Sequence, residues 1–91
     1  MLTDTNIAAR ADNNVDAQLG DETVILDLES GNYFRLNITG ARVWNLLESP
    51  LSIGTLCAKL EAAFEIDAET CRAEVIPFIE MMRDRKLIRI S

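Results

Sequence analysis

Ninety-one residues with 48% hydrophobic content suit one small globular domain with a single modest core. A formal net charge of −6 argues against a nucleic-acid partner, whose phosphates must be neutralised by Lys and Arg. The chain has no histidine, the commonest general base and transition-metal ligand, so no catalytic residue, metal site or cofactor is expected.

No apolar run approaches the ~20 residues of a membrane-spanning helix. Residues 1–14 lack the basic block followed by an apolar block that marks a secretory signal. A cytoplasmic protein without a membrane partner is therefore expected. Cys57 and Cys71 sit inside helical patterns without metal-ligand spacing, which suits core filler rather than a metal site or a disulfide.

In chain order, residues 1–13 are polar and irregular, which predicts a flexible N-terminal tail before a folded domain at 14–91. Val15, Ala17 and Leu19 alternate with Asp16 and Gln18, the period of a half-buried strand. Gly20-Asp21 makes a turn into a second strand, Thr23 to Leu28. Val24, Leu26 and Leu28 share one of its faces, and Ile25 and Asp27 the other. Ser30-Gly31-Asn32 tolerates positive φ and reverses the chain. The third strand starts at Tyr33. It has Phe34, Leu36 and Ile38 on one face, with Phe34 and Leu36 expected inward, and Tyr33, Arg35 and Asn37 on the other.

Three helices follow. Thr39 is positioned to cap the first, which runs to about Glu48 before Ser49-Pro50, with Val43, Trp44 and Leu47 on one face. Trp44, the single tryptophan, is expected in the core against Phe34 and Leu60. Ser52 caps the second helix, where Ile53, Leu56, Leu60, Ala63 and Phe64 recur at helical intervals. Asp67 caps the third, with Glu69 in the first turn facing the positive end of the helix dipole. Its core stripe is Cys71, Val75, Phe78, Ile79 and Met82, and the pattern continues on both sides of Pro77, which predicts a kink rather than a break. Leu87 to Ile90 fits a brief strand or an extended tail.

The third strand, Tyr33 to Asn37, is then a candidate open edge whose unpaired N–H and C=O groups accept another chain. In such strand addition the main chain supplies generic affinity and side-chain pockets supply preference. Beside the core stripe, the third helix carries Arg72, Ile76, Ile79 and Arg83 at i, i+4, i+7, i+11, suited to an apolar anchor between two cationic rims. The alternative is a DNA-binding winged-helix regulator. Its recognition helix would be basic, yet Asp67 to Arg85 holds five acids (Asp67, Glu69, Glu74, Glu80, Asp84) against three arginines, a net of −2.

The ordered set Leu26-Asp27-Leu28, Gly31, Tyr33-Phe34, Leu36-Asn37, Thr39-Gly40-Ala41, Trp44-Asn45-Leu46-Leu47, Phe64-x-Ile66-Asp67 and Phe78 resembles the PqqD-like family. Its members are recognition elements for ribosomally made, post-translationally modified peptides, and the similarity spans about residues 15–90. The chain departs from the family at Pro77 and at Arg85-Lys86-Leu87, where relatives often place a glycine before Leu. The resemblance implies an α+β winged helix-turn-helix fold, a three-stranded antiparallel sheet followed by three helices. It also implies a non-catalytic module that binds the leader segment of a precursor peptide as a strand on the third β-strand, in the cleft before the third helix. The expected peptide-binding residues are Tyr33, Phe34, Arg35, Leu36 and Asn37 on the strand side, and Arg72, Val75, Ile76, Ile79 and Arg83 on the helix side. The leader would pass to a separate modifying enzyme, a leader peptidase or cyclase as in lasso-peptide biosynthesis, or a radical-SAM enzyme.

Overall fold

The computed structural model describes residues 2–91, with strands β1 (Ile7–Arg10), β2 (Asn14–Leu19), β3 (Glu22–Asp27), β4 (Tyr33–Leu36), β5 (Leu51–Ser52) and β6 (Ile88–Ile90). The helices are α1 (Ile38–Leu46), α2 (Ile53–Phe64) and α3 (Ala68–Asp84), so the fold is α+β. No helix among these residues is long and apolar enough to cross a membrane. β2, β3 and β4 form an antiparallel meander in that order. Its turns rest on Gly20 and Gly31, both at positive φ (66° and 76°), a conformation glycine enters without a Cβ clash.

Pairing sets which face of the meander turns inward. Leu36 is buried opposite Thr23, and half-buried Phe34 lies opposite Ile25, so Thr23, Ile25 and Asp27 are the inward residues of β3. The more apolar set, Val24, Leu26 and Leu28, therefore faces away from the helices. Ile38 does not extend β4. It opens α1 and is exposed.

A second sheet, in the order β5-β1-β6, corrects the expectation of a loose tail over residues 1–13, of which residue 1 lies outside the described residues. Ala8 is fully buried, opposite Leu51 on one side and Ile90 on the other. The Arg10 guanidinium donates to the Trp44 carbonyl at 2.7 and 3.2 Å and lies 4.5 Å from the centre of the indole ring. Ahead of β1, the Asp4 carbonyl accepts from the Gly54 amide at 3.0 Å, and its carboxylate pairs with Arg72. The domain thus begins well before residue 14. IAAR carries no period that would announce a strand; its partners come from residues more than 40 positions away.

All three helices have side-chain caps that accept from the backbone N–H three residues on. Asn37 caps α1 through the Gly40 amide (2.9 Å), displacing the expected Thr39. Ser52 caps α2 through Thr55, and Asp67 caps α3 through Thr70 at 2.7 Å. Helix α3 continues unbroken through Pro77. It stops in a paired turn in which Lys86 N–H donates to the Arg83 carbonyl and Leu87 N–H to the Met82 carbonyl, both at 2.9 Å. Lys86 reaches this geometry at φ 61°, a left-handed conformation that favours glycine. The core lies between the two sheets and the helices. Trp44, Val43, Leu47, Leu56, Leu60, Ile79 and Met82 are essentially unexposed there, and the Trp44 Nε1–H is satisfied by Asp16 at 3.2 Å.

Candidate functional site

The site is built from the hairpin that sets β4. Asp27, nearly buried at the end of β3, accepts from the Ser30 hydroxyl (2.8 Å) and from the Glu29 amide (3.0 Å). Those two hydrogen bonds, the Ser30 hydroxyl first, hold its carboxyl below the usual carboxylate value. Its backbone closes the turn, with N–H donating to the Asn32 carbonyl and C=O accepting from the Gly31 N–H. Antiparallel ladders alternate bonded and non-bonded pairs. Continuing from the bonded Asp27–Asn32 pair, Phe34 and Leu36 bond to β3, leaving the N–H and C=O of Tyr33 and Arg35 at the outer edge of β4. No further strand of the described residues occupies that edge.

Two successive hollows, together called the cleft, lie between α3 and the stretch Asn32 to Asn37. The first part, about 460 Å³, is lined by Asn32 to Leu36 from the strand and by Met81, Arg85 and Leu87. The second part, about 370 Å³, is lined by Asn37, Thr39, Gly40 and Val43 on one side and Glu74, Val75 and Phe78 on the other. It shares Thr39, Glu74 and Val75 with a smaller apolar pocket of about 220 Å³ that also reaches Leu60, Phe64, Ile66 and Cys71. The start of β4 thus faces the end of α3, and the end of β4 faces its middle. Close approach at Gly40 sets the spacing. A Cβ there would lie 2.9 Å from the Phe78 ring, so any larger residue at this position would push that ring aside.

Of the expected site residues, Tyr33, Phe34, Arg35, Leu36, Asn37 and Val75 come together along this cleft. Arg72, Ile76, Ile79 and Arg83 line neither part of it. Ile79 is fully buried in the core, Arg72 pairs with Asp4, and Arg83 pairs with its neighbour Asp84 at 3.3 Å. The helix side of the cleft is instead Glu74, Val75, Phe78, Met81 and Arg85. A core stripe has two flanks about half a turn apart, and 72/76/83 and 74/78/81/85 are those flanks. The one signal available beforehand was Phe78, a large apolar residue at the margin of the stripe.

Arg85 lies 5.3 Å from the centre of the Phe34 ring, over the inward side of β4. Arg35 is largely exposed and pairs with Glu22 at 3.0 Å. The cysteines belong to the core rather than to the cleft's chemistry. Cys71 Sγ donates to the Cys57 carbonyl at 3.7 Å, and burial pushes the Cys57 thiol up to about 11, an unreactive state.

Comparison with known proteins adds to this geometry. A search of curated proteins gave no match. A solved structure described as "TbiB1 in Complex with the TbiA(beta) Leader Peptide" superposes with a TM-score of 0.78 at 28% identity. That likeness covers 89% of this chain and 94% of the other. Residues 22–88 match the family model described as Coenzyme PQQ synthesis protein D (PqqD). That span takes in β3 and β4, all three helices and both walls of the cleft, and on it the chain belongs to the PqqD family.

Proposed function

We propose that the protein is a non-catalytic capture module for the leader segment of a ribosomally made precursor peptide. The leader adds as a strand to the open edge of β4, where Tyr33 and Arg35 offer backbone donors and acceptors. Its inward side chains rest in the cleft against Val75, Phe78 and Met81. The observation that carries this reading is the pairing of an unoccupied strand edge with an apolar-walled cleft in a fold shared with a protein solved with a leader peptide. Winged-helix DNA binding finds no support, because the helix that would enter the groove is acidic.

The bound leader is presented to a separate modifying enzyme, a lasso-type peptidase or cyclase or a radical-SAM enzyme. The outer face of the meander is suited to receive that enzyme. Val15, Leu19, Leu28 and Tyr33 are 51–70% exposed there, and the face adjoins the strand the leader would extend.

Calorimetry with the leader encoded beside this gene tests the reading. An affinity near micromolar, about −8 kcal/mol, is expected for a partly preorganised strand-plus-anchor site. Binding no stronger than that of a scrambled peptide would refute capture. Leu28→Glu, at an exposed position off the cleft, is expected to keep the peptide and lose the enzyme in a pull-down.

A further inference from the structure

The proposed peptide cleft carries opposite charges at its two ends. Arg85 lines the end beside Asn32 and Tyr33, and no carboxylate among the described residues lies within ion-pair distance of it. Arg35 lines the same end, but Glu22 already holds its guanidinium. Glu74 lines the opposite end with Asn37 and Val75, and it too has no cationic partner. Both are exposed, so each keeps its charge at little cost until a ligand arrives. Arg85 stands over the Phe34 ring at 5.3 Å, so its charge is held at the floor of this end of the cleft.

We propose that Arg85 and Glu74 are specificity residues that read the charge order of the bound peptide, and with it the direction in which the peptide lies. The inference rests on the capture reading above. Residues 74 and 85 stand eleven positions apart on α3, about 16 Å along the helix axis. An extended strand covers that distance in about five residues. A strand added antiparallel to β4 continues the pattern of the meander and runs in the same direction as α3. Its N-terminal half then lies by Glu74 and its C-terminal half by Arg85. The matching peptide has a Lys or Arg and, about four to six residues later, an Asp or Glu, with apolar residues between them. A peptide with the reverse order places like charges together at both ends, which is disfavoured.

The test uses the full chain and a displayed library of random peptides long enough to span the cleft. Wild-type protein is expected to enrich apolar peptides with a base followed by an acid at that spacing. Arg85→Glu is expected to exchange the acid preference for a basic one, and Glu74→Lys to exchange the basic preference for an acidic one. For one selected peptide, changing its acid to Lys should weaken wild-type binding about tenfold by fluorescence anisotropy, and Arg85→Glu should recover it. Arg85→Gln, which adds no charge at the helix C-terminus, serves as the second variant and should lose the acid preference alone. Identical peptides enriched by wild type and Arg85→Glu, or a reversed charge order, would overturn the proposal. A wild-type protein that enriches no related peptides would overturn capture itself, and the charge reading would fall with it.

Discussion

The Arg35 amide offers the sharpest test of strand addition. Arg35 faces the open edge, so replacing it with proline removes a donor from that edge without deleting a bond of the β3–β4 ladder. The substitution also removes the exposed pair with Glu22, worth at most about 1 kcal/mol. Loss of the edge bond costs about 1 kcal/mol. The peptide carbonyl left without its partner, together with the ring projecting into its path, adds a comparable amount. About 2 kcal/mol of binding, roughly 30-fold in Kd, is therefore expected to go. Arg35→Ala, which keeps the N–H, separates the backbone effect from the side chain and should lose far less. Lys59→Ala, on the exposed side of α2, should leave binding unchanged. Circular dichroism establishes the fold of each variant, and calorimetry with the leader measures binding. A folded Arg35→Pro protein with wild-type affinity would refute use of this edge.

Other outcomes follow from the same geometry. Met81→Asp places a charge on the apolar wall and should weaken peptide binding at least about tenfold. Ile76→Asp, on the other flank of α3, should cost stability while leaving the affinity of the folded protein unchanged; calorimetry on both variants checks this. Lys86→Gly relieves a left-handed φ of 61° at the end of α3. It should raise stability by about 0.5–1 kcal/mol, a few degrees in thermal midpoint. Hydrogen bonds to Ser30 and Glu29 hold Asp27, and hydrogen bonds to Thr70 hold Asp67, below the ordinary carboxylate value of 3.8, so their contribution is complete above about pH 4. It is lost as pH falls through the lower folded values, and Asp27→Asn should flatten the acid limb of a urea-midpoint titration. Cys57 has the opposite linkage. Its thiol rises from 9.0 to about 11 on folding, so stability should fall as pH climbs from 9 towards 11, with neither cysteine reacting with a thiol reagent until the protein unfolds.

Local chemistry determined much of this protein. The turns at Gly20 and Gly31, the caps Ser52 and Asp67, and the inward placement of Phe34 and Leu36 each depend on residues close in sequence. Trp44 was legible as core because a large apolar ring on the apolar face of a helix has few stable alternatives to burial. Tertiary structure decided what depends on distant partners. Ile7–Arg10 becomes a strand because Leu51–Ser52 and Ile88–Ile90 lie on either side of it, and its own four residues carry no such signal. Lys86 adopts a left-handed φ because the chain must turn back to bury Leu87 and pair β6 with β1, an outcome its side chain does not favour. The cleft wall is the clearest case. Helical periodicity defines the stripe Cys71, Val75, Ile79 and Met82, but it is blind to which flank faces β4. The flank that faces it is Glu74, Phe78, Met81 and Arg85, and Phe78 there packs against Gly40, a contact between residues 38 positions apart.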